Sequence, residues 1–265
     1  METITSKDNK TIRYISKLNN NTKFRKKEGY FTIEGKRLCN DAIISNVLPK
    51  YCIFSESFYS SNPDICNLFI SKSENSFCCN NTIFSGISDT VTPQGVLFVV
   101  KTLDKNPHEY IISNKNEVVL LLDCIQDPTN LGTILRSCEA FGIKNVVLSK
   151  DSCDIYSPKV LRGSMGAIFR LNFHYCKNIS EFVDKFNEFG YSYASVLDEN
   201  AISISDISFK KPCLLIVGNE GNGISKEVIE KSTHKVYIDM NGKAESLNAS
   251  VAASILMYEL SKTDK

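Results

Sequence analysis

Five largely apolar runs, separated by stretches of helical periodicity, constrain the C-terminal half of this chain more than any other feature. Val118-Val119-Leu120-Leu121-Leu122 is the first, and others lie at 145–148, 192–196, 213–217 and 235–239. A run this apolar suits a strand covered by helices on both faces, as in a parallel sheet. Between the runs, Leu131, Ile134, Leu135 and Cys138 recur at helical spacing. Phe182, Phe186 and Phe189 mark a second helical stretch, and Leu247, Val251, Ile255 and Tyr258 a third. Strands alternating with helices predict an α/β domain built on a parallel sheet.

The N-terminal part reads as a smaller α/β unit. Residues 6–27 predict a basic helix with Ile12, Ile15 and Leu18 on its apolar face, broken near Asn19-Asn20-Asn21. Tyr30-Phe31-Thr32-Ile33 predicts a strand and Leu38 to Ile44 a helix. Further strands are expected at 51–54, 67–70, 82–84 and 96–100, the last after the turn Thr92-Pro93-Gln94-Gly95. Residues 101–116 are polar with little apolar periodicity. The expected organisation is therefore an N-terminal domain at 1–104, a linker at 105–116 and a second domain at 117–265.

The formal net charge of +1 hides an asymmetry. Residues 1–37 hold ten Lys/Arg against four Asp/Glu, a surplus of six that leaves the remainder at −5. Lys23, Arg25, Lys26, Lys27 and Arg37 fall in this segment, which suits a phosphate-binding surface or a solvated helix face. The ten cysteines form no C-x-x-C pair and are expected as free, packed thiols. No His/Cys spacing suggests a metal site. No apolar run reaches the roughly 20 residues of a membrane helix, and the first ten residues lack a signal-peptide core. A cytoplasmic protein without a membrane partner is expected.

Loops that follow parallel strands emerge on one sheet edge, where ligands bind. Three such loops are rich in Gly, Asn and polar groups. The first runs from Asp123 through Asp127-Pro128-Thr129-Asn130-Leu131-Gly132 into a helix carrying Arg136. Simple capping explains Asp-Pro-Thr-Asn equally well. The second, Gly218-Asn219-Glu220-Gly221-Asn222-Gly223, permits close approach of backbone to a ligand. It is not the dinucleotide fingerprint G-x-G-x-x-G, and a plain turn is the alternative. The third, Met240 to Asn248, has Ile238, Met240 and Leu247 to form an apolar slot, with Ser246 or Asn248 as a possible cap. A fourth segment, Ser157 to Gly166, offers Lys159 and Arg162 for a phosphate or as an exposed basic face.

At these loops the sequence resembles the SpoU/TrmH family of RNA ribose methyltransferases, within the SPOUT superfamily. The resemblance rests on Asn130-Leu131-Gly132 with Arg136 and Phe141-Gly142, on Gly218 to Gly223, and on Ser246-Leu247-Asn248 with Ser250. Arg162-Gly163-Ser164-Met165-Gly166 matches a further segment. Phe31-Thr32-Ile33-Glu34-Gly35 and Thr92-Pro93-Gln94-Gly95 resemble, more loosely, the substrate-binding domain that precedes the catalytic one in many members. Thr129 and Ala249 depart from common family residues, and neither is of a catalytic type.

The resemblance implies a parallel-sheet domain with a deep trefoil knot, S-adenosylmethionine as methyl donor and no metal. It implies a homodimer and an RNA partner, ribosomal RNA by analogy with members that carry the extra domain. Transfer RNA is the alternative substrate, and a non-catalytic knotted RNA-binding protein the alternative function. Gly218, Asn219, Gly223, Ile238, Met240 and Leu247 would hold the donor. Arg136 matches the family's catalytic arginine, with Asn130, Glu220, Ser246 and Asn248 around it. Arginine side chains stay protonated in proteins, so gripping a phosphate and stabilising charge on the 2′-oxygen suits Arg136 better than taking the proton. Lys23, Arg25, Lys26, Lys27, Arg37 and Arg162 are the expected RNA contacts.

Overall fold

The computed structural model describes residues 1–103 and 117–262. Their contacts divide the chain into two compact units, the first made of Met1–Thr102 with Asp154–Phe169. The second comprises the described residues of 103–153 and 170–265. The expected linker at 105–116 lies outside the described residues. The segment 154–169, which the sequence reading leaves with the second domain, packs within the first unit.

The first unit is built on a five-stranded sheet in the order β1-β4-β3-β5-β2. Its strands are β1 (Glu2–Ile4), β2 (Tyr30–Glu34), β3 (Pro49–Ser55), β4 (Asn75–Cys79) and β5 (Val96–Lys101). β5 runs antiparallel to β2 and β3, whereas β4 is parallel to β3 and β1. The basic N-terminal segment breaks where Asn21 caps a new helix, giving α1 (Lys10–Asn20) and α2 (Thr22–Glu28). Ile12, Ile15 and Leu18 of α1 cover one sheet face beside Ile53, Phe77, Leu97 and Val99. The helix after β2 is α3 (Lys36–Ile44) and that after β3 is α4 (Glu56–Ser61).

Two expected strands are helices. Residues 67–70 fall in α5 (Pro63–Lys72), where Pro63 starts the helix and Asp64 sits in its first turn. Residues 82–84 fall in α6 (Asn81–Ile87), capped by the Asn80 side chain on the Ile83 amide. Apolar runs of three or four residues fit one turn of helix as well as a strand. The strand of this region is instead β4, and its Phe77-Cys78-Cys79 end is buried.

Arg25 pins the returning segment. Its guanidinium meets the Asp154 carboxylate at 2.7 Å, with side chains only 4% and 7% exposed. It also donates to the Asn19 carbonyl and to the Thr22 hydroxyl, each at 2.9 Å. Tyr156 stacks on Phe31 at 4.4 Å between ring centroids. Arg25 was expected to face RNA, and its burial in this ion pair removes it from the accessible basic surface.

The second unit carries a seven-stranded sheet, β10-β12-β9-β11-β6-β7-β8. Its strands are β6 (Val118–Asp123), β7 (Asn145–Ser149), β8 (Asn172–Cys176), β9 (Tyr191–Ser195), β10 (Ile202–Ser203), β11 (Cys213–Gly218) and β12 (His234–Tyr237). Every pairing is parallel. All five apolar runs are strands, each within two residues of its expected ends. The helices are α7 (Pro128–Ala140), α8 (Pro158–Ser164, in the first unit), α9 (Ile179–Asn187), α10 (Lys226–Lys231) and α11 (Ala249–Lys262). Val119, Leu121, Leu214 and Ile216 turn one sheet face towards Phe182, Val183 and Phe186 of α9.

α11 packs against α7, with the Ser137 and Ser254 hydroxyls 2.8 Å apart and the Cys138 thiol 3.6 Å from the Met257 sulfur. Its buried face is Ala249, Ala253, Leu256, Met257 and Leu260. The stripe suggested by the sequence, with Val251 and Tyr258, is the exposed one. The helix is apolar on both faces, so periodicity could not choose between them.

Candidate functional site

Strand register sets up the site. β6 and β11 are neighbours, paired from Val118↔Cys213 to Asp123↔Gly218. Their loops therefore leave the sheet side by side, at the place where strand order turns outward in both directions. Asp123 is buried, and its carboxylate accepts the Ser225 amide at 2.8 Å, tying the end of one loop to the start of the other.

The β6–α7 loop closes on Asp127, whose side chain accepts the amides of Thr129 and Asn130 at 2.6 and 3.0 Å. With Pro128 in the first helical turn, this start is rigid. It fixes the Asn130 side chain, which donates to a Glu220 carboxylate oxygen at 2.7 Å. The Asn130 amide oxygen accepts from Asn248 at 3.0 Å. The Asn248 oxygen in turn accepts the Ser250 amide and hydroxyl at 2.9 and 2.7 Å. One line of hydrogen bonds thus joins all three loops.

The middle loop is shaped by its own backbone. Asn219 and Gly223 exchange amide-to-carbonyl bonds at 3.0 Å in each direction. The Asn219 side chain accepts the Gly221 and Asn222 amides and donates to the Cys124 carbonyl at 2.8 Å. Gly218 is obligatory: a Cβ there would lie 2.2 Å from the Gly223 carbonyl carbon and 2.3 Å from the Ile224 nitrogen. Burial, then the carboxylates of Asp123 and Asp151, raise the Cys124 thiol above its ordinary range. That thiol stays protonated near neutrality and is a poor nucleophile.

Beside the network lies a cavity of about 430 Å³ lined by both of the later loops. Gly218, Asn219, Gly223, Ile238, Met240 and Leu247 all line it, as do Glu220 and Ser246. Leu197 and Tyr237 complete its wall and were not anticipated. Strand order would have pointed to Leu197, because β9 runs beside β11.

Arg136 sits on the exposed side of α7, opposite Leu131, Ile134, Leu135 and Cys138. It has no hydrogen-bond or ion-pair partner among the described residues. The network therefore holds Asn130, Glu220 and Asn248 together but includes neither Arg136 nor Ser246. Among the expected RNA contacts, Lys23, Lys26, Lys27 and Arg37 are exposed. Arg162 pairs with Asp89 at 2.6 Å while remaining 41% exposed. Among the described residues, no group of three or more His, Cys, Asp or Glu could hold a metal, and no helix is long and apolar enough to cross a membrane.

Comparison with known proteins places these features. Residues 9–97 match the MRM3-like substrate binding domain and residues 117–258 the SpoU rRNA Methylase family. The chain is 31% identical over 261 residues to the 23S rRNA (guanosine(2553)-2′-O)-methyltransferase RlmP of Bacillus subtilis, covering 98% of this chain and 99% of that one. An uncharacterized tRNA/rRNA methyltransferase of Synechocystis is 30% identical over 97% of this chain and 92% of its own. The AdoMet-bound rRNA methyltransferase of Sinorhizobium meliloti superposes with a TM-score of 0.87 at 25% identity, covering 98% and 97% of the two chains. The AdoMet complex of the SpoU methyltransferase AviRb from Streptomyces viridochromogenes shares the fold, with a TM-score of 0.85 at 23% identity over 97% and 98% of the chains. The chain belongs to the SpoU rRNA methylase family.

Proposed function

We propose that this protein transfers the methyl group of S-adenosylmethionine to a ribose 2′-hydroxyl of RNA, and that the RNA is ribosomal. The observation that carries the reading is the Asn248–Asn130–Glu220 line, which ties the first loop to the two loops that line the cavity. The cavity suits the donor. Its volume falls in the range of about 300–1,000 Å³ typical of small-ligand sites, and its walls at Ile238, Met240 and Leu247 are apolar. The lack of room for a Cβ at Gly218 forces the loop backbone to form the wall directly. The loop at 218–223, with Ile238, Met240 and Leu247, would hold the donor, which supplies a methyl group on a positively charged sulfur.

The protein's own task is to present the ribose hydroxyl in line and to stabilise the charge that develops on its oxygen. Arg136, exposed and without a carboxylate partner, is suited to grip the adjacent phosphate and face that oxygen. The full-length likeness to RlmP and the match to a substrate-binding domain support ribosomal RNA as substrate. A homodimer is part of the proposal, supported by the exposed apolar stripe of Val251 and Tyr258 on α11. A trefoil knot is also part of it, supported by the full-length fold likeness to solved SpoU methyltransferases.

Calorimetric titration with S-adenosylmethionine, alongside methyl transfer to ribosomal RNA, tests the reading. Arg136→Ala is expected to lower turnover by about 10²-fold or more while donor affinity stays near wild type. Near-wild-type turnover in the variant would remove Arg136 from the chemistry. Failure of the wild-type protein to bind the donor would favour a non-catalytic RNA-binding role.

A further inference from the structure

Four aromatic rings from four elements pack against one core of the first unit. Tyr14 comes from α1, Phe24 from α2, Tyr30 from the edge strand β2 and Tyr51 from β3. All four are partly buried against the core formed by Ile12, Ile15, Phe77 and Val99. Tyr14 meets Phe24 edge-on at 5.6 Å and Tyr51 at 6.3 Å, and Tyr51 meets Phe77 at 5.7 Å. Such edge-on packing holds the rings rigidly.

Three of the four, Phe24, Tyr30 and Tyr51, lie under ammonium groups. The Lys50 ammonium lies 4.4 Å from the Tyr30 ring centre and 5.4 Å from that of Tyr51, bridging the two. That of Lys17 lies 5.8 Å from the Phe24 ring centre. Lys101 pairs with Tyr30 across the sheet and is exposed. Among the described residues, none of these three lysines has a carboxylate partner within 4 Å. The nearby acid is Glu28. Burial, then the Glu28 carboxylate, push the Tyr14 hydroxyl up to about 12, so that ring stays neutral.

We infer that Tyr30 and Tyr51, backed by Tyr14 and Phe24 and flanked by Lys50 and Lys17, form a stacking platform for unpaired RNA bases. The inference rests on the proposed RNA substrate and adds a mode of contact to it. Cation–ring contacts occur about once per 70–80 residues in folded chains. Here two lysines cover three rings at one core rim, the combination by which single-stranded nucleic acid is held. A base entering the site displaces Lys50 from the ring and leaves its charge free for the neighbouring phosphate. The charge needed is present, because Lys23, Lys26 and Lys27 of the adjoining α2 are exposed. The burial of Arg25 thus takes one cation from the expected basic footprint, while four rings that charge counting passes over enter it.

The test is binding of a labelled oligouridylate, an unstructured probe, followed by anisotropy across about 50–200 mM salt. Tyr30→Leu should weaken binding by about 5- to 100-fold, whereas Tyr30→Phe should bind within about twofold of wild type, since the ring face is retained. Lys50→Ala should lower the salt slope by about one. The chain has no tryptophan, so tyrosine emission can be read directly and should quench on binding less in Tyr30→Leu. Wild-type affinity in both Tyr30→Leu and Lys50→Ala, with loss only when Lys23, Lys26 and Lys27 are neutralised together, would overturn the platform and leave the RNA reading intact. Absence of any RNA binding by the wild-type protein at low salt would overturn both, and donor titration would show whether the methyltransferase chemistry survives.

Discussion

Replacing Arg25 by methionine tests whether that residue locks the fold or touches RNA. The side chain keeps its length and loses its charge. Asp154 would then be left as a buried carboxylate, its side chain 7% exposed, with its remaining bond to the Tyr156 amide at 3.0 Å. The Asn19 carbonyl and Thr22 hydroxyl would lose their donor as well. Breaking a buried pair from one side costs about 3–5 kcal/mol, because the remaining charge is uncompensated. The first unit has roughly 120 residues. Its unfolding entropy is then near 0.25 kcal/mol per kelvin, at about 2.1 cal/mol per kelvin per residue. The expected loss is about 12–20 °C in the midpoint of that unit's transition, read by circular dichroism or calorimetry. Arg25→Met combined with Asp154→Leu should recover much of it, since no buried charge then remains. A shift below about 3 °C, with weakened RNA binding instead, would refute the locking role and restore Arg25 to the RNA surface.

Two further outcomes concern the network and the cavity. Asn130→Asp replaces the amide donor facing Glu220 by a second carboxylate and removes a charge-assisted bond worth about 1.5–3 kcal/mol. Methyl transfer should fall by about 10- to 100-fold. Activity within twofold of wild type at neutral pH would show that the network does not order the loops. Gly218→Ala pushes a methyl group into the backbone of Gly223 and Ile224, an overpacking of about 1–3 kcal/mol. Calorimetry should show donor affinity reduced by about tenfold or more, and unchanged affinity would mean that the loop does not form the donor wall.

The parts of the fold legible in the sequence were those with unambiguous local physics. Val118 to Leu122 and Cys213 to Val217 are apolar at every position and long enough to be buried strands. Leu68-Phe69-Ile70 is a shorter apolar run, too short to separate a strand from one turn of helix, and it lies in the helix that Pro63 and Asp64 start upstream. The return of 154–169 to the first unit was invisible for a different reason. Its partners, Arg25 and Phe31, lie more than a hundred residues away, and no periodicity carries that information. In the site, the three loops were legible as turns with unusual composition. The hydrogen bonds of Asn130 to both Glu220 and Asn248 span separations of 90 and 118 residues and could only be seen in three dimensions. Leu197 was missed because it follows a strand whose neighbour in the sheet is not its neighbour in the chain.

One element, α7, bears on every part of the proposed chemistry. Its first turn is capped by Asp127 and carries Asn130, so the network begins on a fixed backbone. Leu131, Ile134, Leu135 and Cys138 bury its inner face, and Ser137 and Cys138 join it to α11. A helix held in this way does not slide independently of the cavity loops that Asn130 ties to it. Arg136 stands six residues beyond Asn130, a rise of about 9 Å, on the outer face of the same rod. Its position relative to the cavity is therefore set by packed helix and not by a flexible loop, as preorganised charge stabilisation requires. The missing partner is part of the same design. On the proposed role, a carboxylate beside Arg136 would spend part of its charge before substrate arrived, whereas the guanidinium without a protein partner among the described residues would keep it for a phosphate and for the oxygen that accepts the methyl group.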